Sequence, residues 1–403
     1  AVTAWGDSHR LLPNVFTEGF LMFVQSMTPP NRTFLAGDYS SEGWWYYFPV
    51  AFLIKTPIAL LLLVAGGLVI SFRRVRELNS LRLAFVFVPL VVFFGAAMAS
   101  GINLGLRHVL PIYPFVLLLA AVAVKALLTT GRQWAPVALA VIMTGGGVEL
   151  ARAYPNPLAF FNQLAGGPAN GYKYLADSNL DWGANLKRLD DWMARNNVEH
   201  INLAYFGQAD PAYYGIDCTH LPGAPGFATD AIARPRLPGY VTISPTIMQG
   251  GYAPPQWQMF YEPSTDLEPA AVIGHSLRVY WVEKWPMAPV PPAPTAARLD
   301  ARRTLAEALM HGMQWPEPAI AHYRDYLRHR PRDGDALMNL GIALAAAGRI
   351  PEVLPALESA VHVAPDHGRA RLTLARALLG SGNLHGAAAQ AQRAVELLPG
   401  DAD

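Results

Sequence analysis

Gly43–Phe72 reads GWWYYFPVAFLIKTPIALLLLVAGGLVISF, and Lys55 is its single charged residue. A helix needs about 20 apolar residues to cross a bilayer, so this stretch is long enough. A lysine near hydrocarbon costs on the order of 2.5–3.5 kcal/mol, which calls for a route to water or an anionic partner. Two interpretations stay open. The side chain reaches the interface near the aromatic run Trp44–Tyr47, or the ammonium binds a phosphate carried on a lipid.

The composition is that of a membrane protein with a soluble part. The chain is 52% hydrophobic and 15% charged, and its long apolar runs lie before Leu150. A net charge of +1 gives no footprint for nucleic acid. The single cysteine, Cys218, excludes an intrachain disulfide, and no metal-ligand spacing occurs among the histidines, so neither metal nor cofactor is predicted. The chain begins AVTAWGDSHR without Met or signal peptide, and we expect it to be the C-terminal part of a longer protein.

Hydrophobicity predicts about four transmembrane helices within residues 46–152. They are Tyr47–Phe72, Leu83–Ser100, Leu110–Thr130 and Trp134–Leu150. Residues 1–45 are expected to form a periplasmic loop. Within that loop, Leu11–Met27 is predicted either as a helix on the membrane surface or as a buried turn.

Basic residues predict the orientation of these segments. The two hairpins carry most of them: Arg73, Arg74, Arg76, Arg82, Lys125 and Arg132. The opposite ends have only Arg32, Arg107 and Arg152 nearby. The positive-inside rule places the hairpins in the cytoplasm. Both soluble regions then lie in the periplasm of a bacterium, attached to its inner membrane.

The string GINLGLRHVLPIYPF places Arg107 and His108 at the membrane boundary, on the same side as Lys55. Pro111 and Pro114 are expected to restrict the start of the following helix. An arginine fork suits phosphate, although Arg107 alone is also typical of an interfacial anchor to lipid headgroups. Together with Lys55, these residues favour an anionic, lipid-linked substrate.

Three strings in order resemble the C-terminal half of bacterial family 39-type glycosyltransferases, relatives of the protein O-mannosyltransferases and of the lipid A aminoarabinose transferase. They are FLAGDYSSEGWWYYFPVAFLIKTPIALLLL, GLRHVLPIYPF and YPNPLAFFNQLAGGPANGYKYLADSNLDWGANLKRL. The resemblance covers about Leu11–Leu189, and its extension to Glu283 stays open. It implies transfer of a sugar from a polyprenyl-phosphate donor to a periplasmic acceptor. The acidic first loop that is catalytic in this family has no match here, so the catalytic residue would precede Ala1.

Residues 153–283 are predicted to form a small periplasmic α/β domain. NLKRLDDWMARNN has the pattern of an amphipathic helix, and INLAYF, YVTIS and LRVYWV have that of strands. Ahead of the helix, DSNLDWG supplies four candidate sugar- or acceptor-binding residues: Asp177, Asn179, Asp181 and Trp182. The structural alternative has Asp181 capping the helix, Asp177 and Asn179 in an Asx-turn, and Trp182 in the core.

Residues 284–299 are Pro-rich and predict an extended, semi-rigid linker. A 34-residue period follows, with aligned positions at Pro331, Pro365 and Pro399, at Leu340 and Leu374, at Gly348 and Gly382, and at Ala360 and Ala394. This is the tetratricopeptide period, and it predicts three repeats at 300–333, 334–367 and 368–401. Their groove is expected to bind a protein or peptide, unless the stack is purely architectural.

Two functions remain open. One is a membrane glycosyltransferase that uses a polyprenyl-phosphate sugar, with Lys55, Arg107 and His108 on the donor phosphate and repeats that recruit a protein. The other is a non-catalytic membrane scaffold that carries a periplasmic repeat module. The scaffold explains the repeats but has no use for the three cationic or titratable residues together with DSNLDWG.

Overall fold

The computed structural model describes residues 18–19, 33–74, 80–101, 103–223, 233–251 and 253–398. The predicted surface helix Leu11–Met27 lies outside the described residues, except for Glu18 and Gly19. A short hairpin comes first, with β1 (Thr33–Leu35) antiparallel to β2 (Asp38–Ser40). Five apolar helices follow: α1 (Tyr47–Lys55), α2 (Ile58–Arg73), α3 (Ser80–Ala99), α4 (Tyr113–Thr129) and α5 (Trp134–Ala153).

Two described helices are long and apolar enough to cross a membrane. They are Leu106–Thr129, which joins a 3-10 helix to α4, and α5, with mean hydropathies of 2.1 and 1.4. The prediction of four spans is therefore not confirmed. The apolar part of α3, Leu83–Ala99, falls short of the roughly 20 residues that a bilayer needs.

The first predicted span, Tyr47–Phe72, is not a straight helix. It consists of α1 and α2, and the chain bends by 115° between them. Thr56 is extended at the junction (φ −103°, ψ 134°), and Pro57 follows it. A proline disfavours helical geometry in the residue before it and cannot donate a backbone hydrogen bond, so the helix ends at Lys55.

The apolar helices pack closely where one of them has a small residue. A Cβ on Gly67 of α2 would overlap the Leu119 carbonyl of α4, so the glycine permits the close approach of these two helices. Pro111 lies inside the 3-10 helix Leu106–Ile112 and Pro114 in the first turn of α4. The two prolines thus act at the start of the helix, as expected.

A five-stranded mixed sheet forms the centre of the next region. Its order is β4 (Cys218–His220), β3 (Ile201–Ala204), β5 (Gly239–Ile243), β7 (Leu277–Val282) and β6 (Ala271–Ile273). The pairs β4–β3 and β3–β5 are parallel, whereas β5–β7 and β7–β6 are antiparallel. The three strands predicted from alternation are β3, β5 and β7, whereas the two short edge strands, β4 and β6, were not predicted.

Helices lie beside this sheet. The predicted amphipathic helix is α6 (Leu186–Arg195), which buries Leu186, Leu189 and Met193. Two short helices, α7 (Pro245–Met248) and α8 (Pro255–Tyr261), follow β5.

The C-terminal region is a stack of three helix pairs. They are α9 (Ala296–Glu307) with α10 (Pro316–His329), α11 (Gly334–Ala346) with α12 (Ile350–Val363), and α13 (Gly368–Gly380) with α14 (Leu384–Leu397). The last two pairs repeat every 34 residues, as their starts at Gly334 and Gly368 show. A π-helical turn, Ala308–Gly312, ends α9 and distinguishes the first pair.

The predicted linker 284–299 is docked on the sheet region. Trp285 stacks on Phe260 with ring centroids 4.4 Å apart and donates its indole N–H to the Phe260 carbonyl. Helix α9 begins at Ala296, inside the predicted linker. One hydrophobic core runs from Tyr261 through Leu305 into the repeats. The linker is therefore not a simple spacer, because Trp285 and Ala288 belong to a core that the sheet region and the repeats share.

Candidate functional site

Lys55 is the last residue of α1, and its ammonium points into the protein. The Nζ donates to the carbonyl oxygens of Leu158, at 2.7 Å, and Asn179, at 2.6 Å. The ring of Phe161 lies 4.5 Å from the same nitrogen. No described carboxylate forms an ion pair with Lys55. An ammonium has a further N–H beyond the two used here, so its charge and one donor remain for a ligand.

Arg107 and His108 lie in the 3-10 helix Leu106–Ile112. The Arg107 guanidinium is 5.4 Å from the ring centre of Trp182. The His108 ring meets the edge of Phe48, with centroids 6.3 Å apart. Both residues are exposed, and in the described part of the chain Arg107 has no acidic partner. Its fork of donors is therefore open to an anion.

Asn179 joins the two cationic segments. Its backbone carbonyl accepts from Lys55, while its side-chain oxygen accepts from Leu106 N at 3.1 Å, next to Arg107. Its amide nitrogen donates to the Tyr47 hydroxyl at 3.1 Å. Asn179 is buried, and its side chain is fully used in these contacts. It therefore organises the site and leaves the binding of ligand to its neighbours.

Asp177 and Trp182 lie on either side of Asn179. Asp177 starts the 3-10 turn Asp177–Asn179 with a left-handed backbone (φ 59°), is buried, and donates its backbone N–H to Thr246 Oγ1 at 3.1 Å. Trp182 is 49% exposed, which leaves much of its ring accessible beside Arg107. The placement of Trp182 in the core, the structural alternative for this residue, is therefore wrong.

Asp181 faces the sheet. It is completely buried and accepts hydrogen bonds from Trp182 N at 2.8 Å, Ala184 N at 3.2 Å and Ser276 Oγ at 2.8 Å. Burial raises the pKa of this carboxyl, and the hydrogen bonds oppose that rise. The N-cap of α6 is Asn185, so Asp181 does not cap that helix but closes the turn before it.

The structure thus brings Lys55, Arg107 and Trp182 together around Asn179, and we call these four residues the cation site. His108 and Asp177 lie beside it, and Asp181 is directed away. Phe161 was not among the predicted site residues. Its position in FFNQ, shortly after the last apolar helix, puts an aromatic ring near the predicted membrane boundary, where it can contact a cation. Among the described residues no cluster of His, Cys, Asp or Glu could hold a metal ion.

The repeats form a second candidate surface. Asp333 caps α11 by accepting from Ala336 N at 2.9 Å, and His367 occupies the equivalent cap of α13. Apolar residues of successive helices fill the stack, including Leu340, Leu357 and Leu374.

Comparisons with known proteins identify the C-terminal region. Tetratricopeptide-repeat profiles match residues 316–352 and 344–403. The C-terminal region therefore consists of tetratricopeptide repeats, as the 34-residue period predicted. No curated protein matches the chain.

Solved structures resemble about a quarter of the chain. Two are structures of MamA, 20% and 21% identical over 25% of this chain, with TM-scores of 0.23 and 0.24. A third is YrrB, described as a TPR protein with an unusual peptide-binding site, 19% identical over 26% of this chain with a TM-score of 0.24. The chain matches 56%, 58% and 53% of their respective lengths, little more than half.

Proposed function

We propose that this chain is the donor-binding and periplasmic portion of a bacterial inner-membrane glycosyltransferase that uses a polyprenyl-phosphate sugar. The observation that carries the proposal is the cation site, in which Asn179 binds both Lys55 and the residue next to Arg107, and neither cation has a described acidic partner. A positive charge at the edge of an apolar region needs a counter-charge. A phosphate on a lipid supplies that charge in the right place.

The geometry suits a phosphate attached to an apolar chain. Lys55 follows an apolar helix and presents a point charge, whereas Arg107 presents a planar fork suited to two phosphate oxygens. The exposed Trp182 ring beside Arg107 offers a face on which a sugar can stack. The resemblance to family 39-type glycosyltransferases leads to the same class of donor. In this proposal the repeats bind a protein or peptide, either the acceptor or a partner.

A binding measurement tests the proposal. The protein is placed in lipid nanodiscs and titrated with polyprenyl phosphate and, separately, with the neutral polyprenol. We expect the phosphate to bind and Lys55→Ala or Arg107→Ala to weaken it roughly 10- to 100-fold, since a charge-assisted hydrogen bond contributes about 1.5–3 kcal/mol. Lys125→Ala is the matched control, because Lys125 is an exposed lysine near the far end of α4. Equal binding of phosphate and alcohol, or unchanged binding in both variants, would contradict the proposal.

One observation favours the scaffold as a second candidate. Lys55 already donates to two carbonyls and contacts an aromatic ring, which is a sufficient set of partners for a purely structural lysine. The scaffold predicts that Lys55→Ala destabilises the protein and that polyprenyl phosphate binds no better than polyprenol. The same titration, combined with thermal unfolding of the variants, separates the two functions.

A further inference from the structure

The break between α1 and α2 leaves backbone groups without intrahelical partners. The carbonyls of Leu53 and Ile54 lie in the last turn of α1. Ile58 starts α2, so its N–H has no partner within that helix. Such groups need other partners when they are shielded from water, and above all in apolar surroundings. Two polar side chains outside the cation site supply those partners.

Asn162 serves the end of α1. Its side-chain nitrogen donates to the carbonyls of Leu53 and Thr56, at 2.6 and 2.8 Å, and its backbone N–H donates to Ile54 at 2.9 Å. Its side-chain oxygen accepts from Leu164 N at 3.0 Å. Asn162 is completely buried, so these hydrogen bonds have no competition from solvent.

Glu149 of α5 serves the start of α2. One carboxylate oxygen accepts from Ile58 N at 2.8 Å and the other from Gln163 N at 3.4 Å. Glu149 is only 8% exposed, yet no described cation forms an ion pair with it. The helix dipole favours an anion at a helix N-terminus, which is where Glu149 lies relative to α2. It favours a cation at a helix C-terminus, which is where Lys55 lies in α1. Gly146, one turn earlier in α5, has no side chain to collide with Ala59, so the two helices meet closely.

We propose that Glu149 and Asn162 are positioning residues that hold the α1–α2 break and thereby direct Lys55 into the cation site. Lys55 is the residue next to the break, so its direction depends on the angle there. Pro57 has no N–H for the Leu53 carbonyl, but an Ile58 N–H that has lost Glu149 can pair with the Ile54 carbonyl four residues earlier, which favours a straighter segment. The role of Lys55 in binding rests on the proposed function, but the control of the angle does not.

A distance measurement tests the angle without any ligand. Spin labels are attached at exposed Trp45 and Val69 through cysteines in a Cys218→Ser background. A continuous helix would separate these positions by about 36 Å, and the observed bend shortens the distance by roughly 15 Å. We expect Asn162→Ala and Glu149→Ala to lengthen the distance or broaden its distribution. Glu149→Gln, which keeps an acceptor for Ile58, should restore the short distance. Unchanged distances in both alanine variants would overturn the inference.

Polyprenyl phosphate titration of the same variants provides the second readout. We expect Asn162→Ala to weaken binding about as much as Lys55→Ala, roughly 10-fold or more. Asn162→Asp, which keeps the shape but loses the donor, serves if the alanine variant fails to fold, and should weaken binding likewise. If Lys55→Ala lost binding while both Asn162 variants bound normally, the positioning role of Asn162 would be overturned and the proposed function would stand. No effect of Lys55→Ala would instead overturn the proposed function, and the spin-label distances would still decide the role of Glu149 and Asn162.

Discussion

Cations have different surroundings in the two halves of the molecule. In the repeats, arginines pair with carboxylates: Arg302 with Asp325, Arg324 with Glu352, Arg328 with Asp325, Arg349 with Glu317 and Glu352, and Arg393 with Asp366 and Glu396. At the cation site, Lys55 and Arg107 have aromatic rings and carbonyls but no described carboxylate. The paired charges belong to the architecture of the stack. In our proposal, the charges of Lys55 and Arg107 bind an anion from outside the protein.

The two halves also differ in how they depend on their neighbours. The repeats follow a segment that was predicted to be an extended linker, yet they share a core with the sheet region. Deletion after Ala293 removes Leu299 and Leu305 from that core and exposes Tyr261. Each large side chain contributes about 1.5–3 kcal/mol, so we expect a loss of more than about 5 kcal/mol in the stability of the sheet region. Thermal unfolding and limited proteolysis measure it.

Deletion after Asp366 is the matched control for this truncation. It removes α13 and α14 but keeps both helix pairs that lie nearer the sheet. The sheet region should then unfold at nearly the temperature of the complete chain. If the protein truncated after Ala293 were as stable as the protein truncated after Asp366, the shared core would contribute little to stability. The linker would then act as a simple tether.

Arg302 is the most deeply buried of the paired cations, at 1% exposed. It donates to Asp325 at 3.2 Å and to the linker carbonyls of Ala288, at 3.0 Å, and Pro289, at 3.2 Å. Arg302→Ala removes the donor to the Ala288 carbonyl and leaves Asp325 with only the exposed Arg328, and we expect a loss of about 3–5 kcal/mol in the free energy of unfolding. Chemical denaturation checks the value. Arg393→Ala, which removes a half-exposed ion pair, should leave the midpoint unchanged, and equal effects would mean that burial does not distinguish the pairs.

His322 makes the same network sensitive to acid. Burial and the nearby Arg302 charge lower the pKa of His322 to about 3. The unfolded chain binds a proton near pH 6.5 while the folded chain does not, so stability falls as pH drops from about 6.5 toward 3. Between pH 7 and pH 5 the expected loss is about 2 kcal/mol. His322→Gln should lose less over that interval, whereas substitution of exposed His362 should keep the full pH dependence.

Local patterns in the sequence predicted the helices, three strands and the repeats, because each depends on residues close in the chain. They also selected Lys55, which interrupts an apolar run, Arg107, which lies at the predicted membrane boundary, and Trp182, which lies in the polar stretch DSNLDWG. The break at Pro57 was harder to predict. A proline between apolar helices is compatible with a kink of almost any size, and the 115° angle depends on polar partners from α5 and the loop after it.

The docking of the linker was missed for a similar reason. Its prolines predict an extended chain, but the Trp285 ring stacks on the Phe260 ring of α8. Arg302 of α9 donates to the linker carbonyls of Ala288 and Pro289, which lie 14 and 13 residues earlier in the chain. Contacts of this kind depend on which surfaces meet, and a periodicity in one segment contains no information about the surface of another.

Trp182 allows the smallest and most specific test of the unpaired cations. Its ring lies 5.4 Å from Arg107, a cation–π contact worth about 0.5–1 kcal/mol when exposed. If the ring only steadies Arg107, Trp182→Leu should weaken polyprenyl phosphate binding by roughly two- to fivefold, and Trp182→Phe by less. Trp281→Leu, at a similarly exposed tryptophan on β7, is the control and should bind normally. A loss in Trp182→Leu as large as in Arg107→Ala would show instead that the indole itself contacts the ligand. The difference between the two halves would then rest on more than the charge of Lys55 and Arg107.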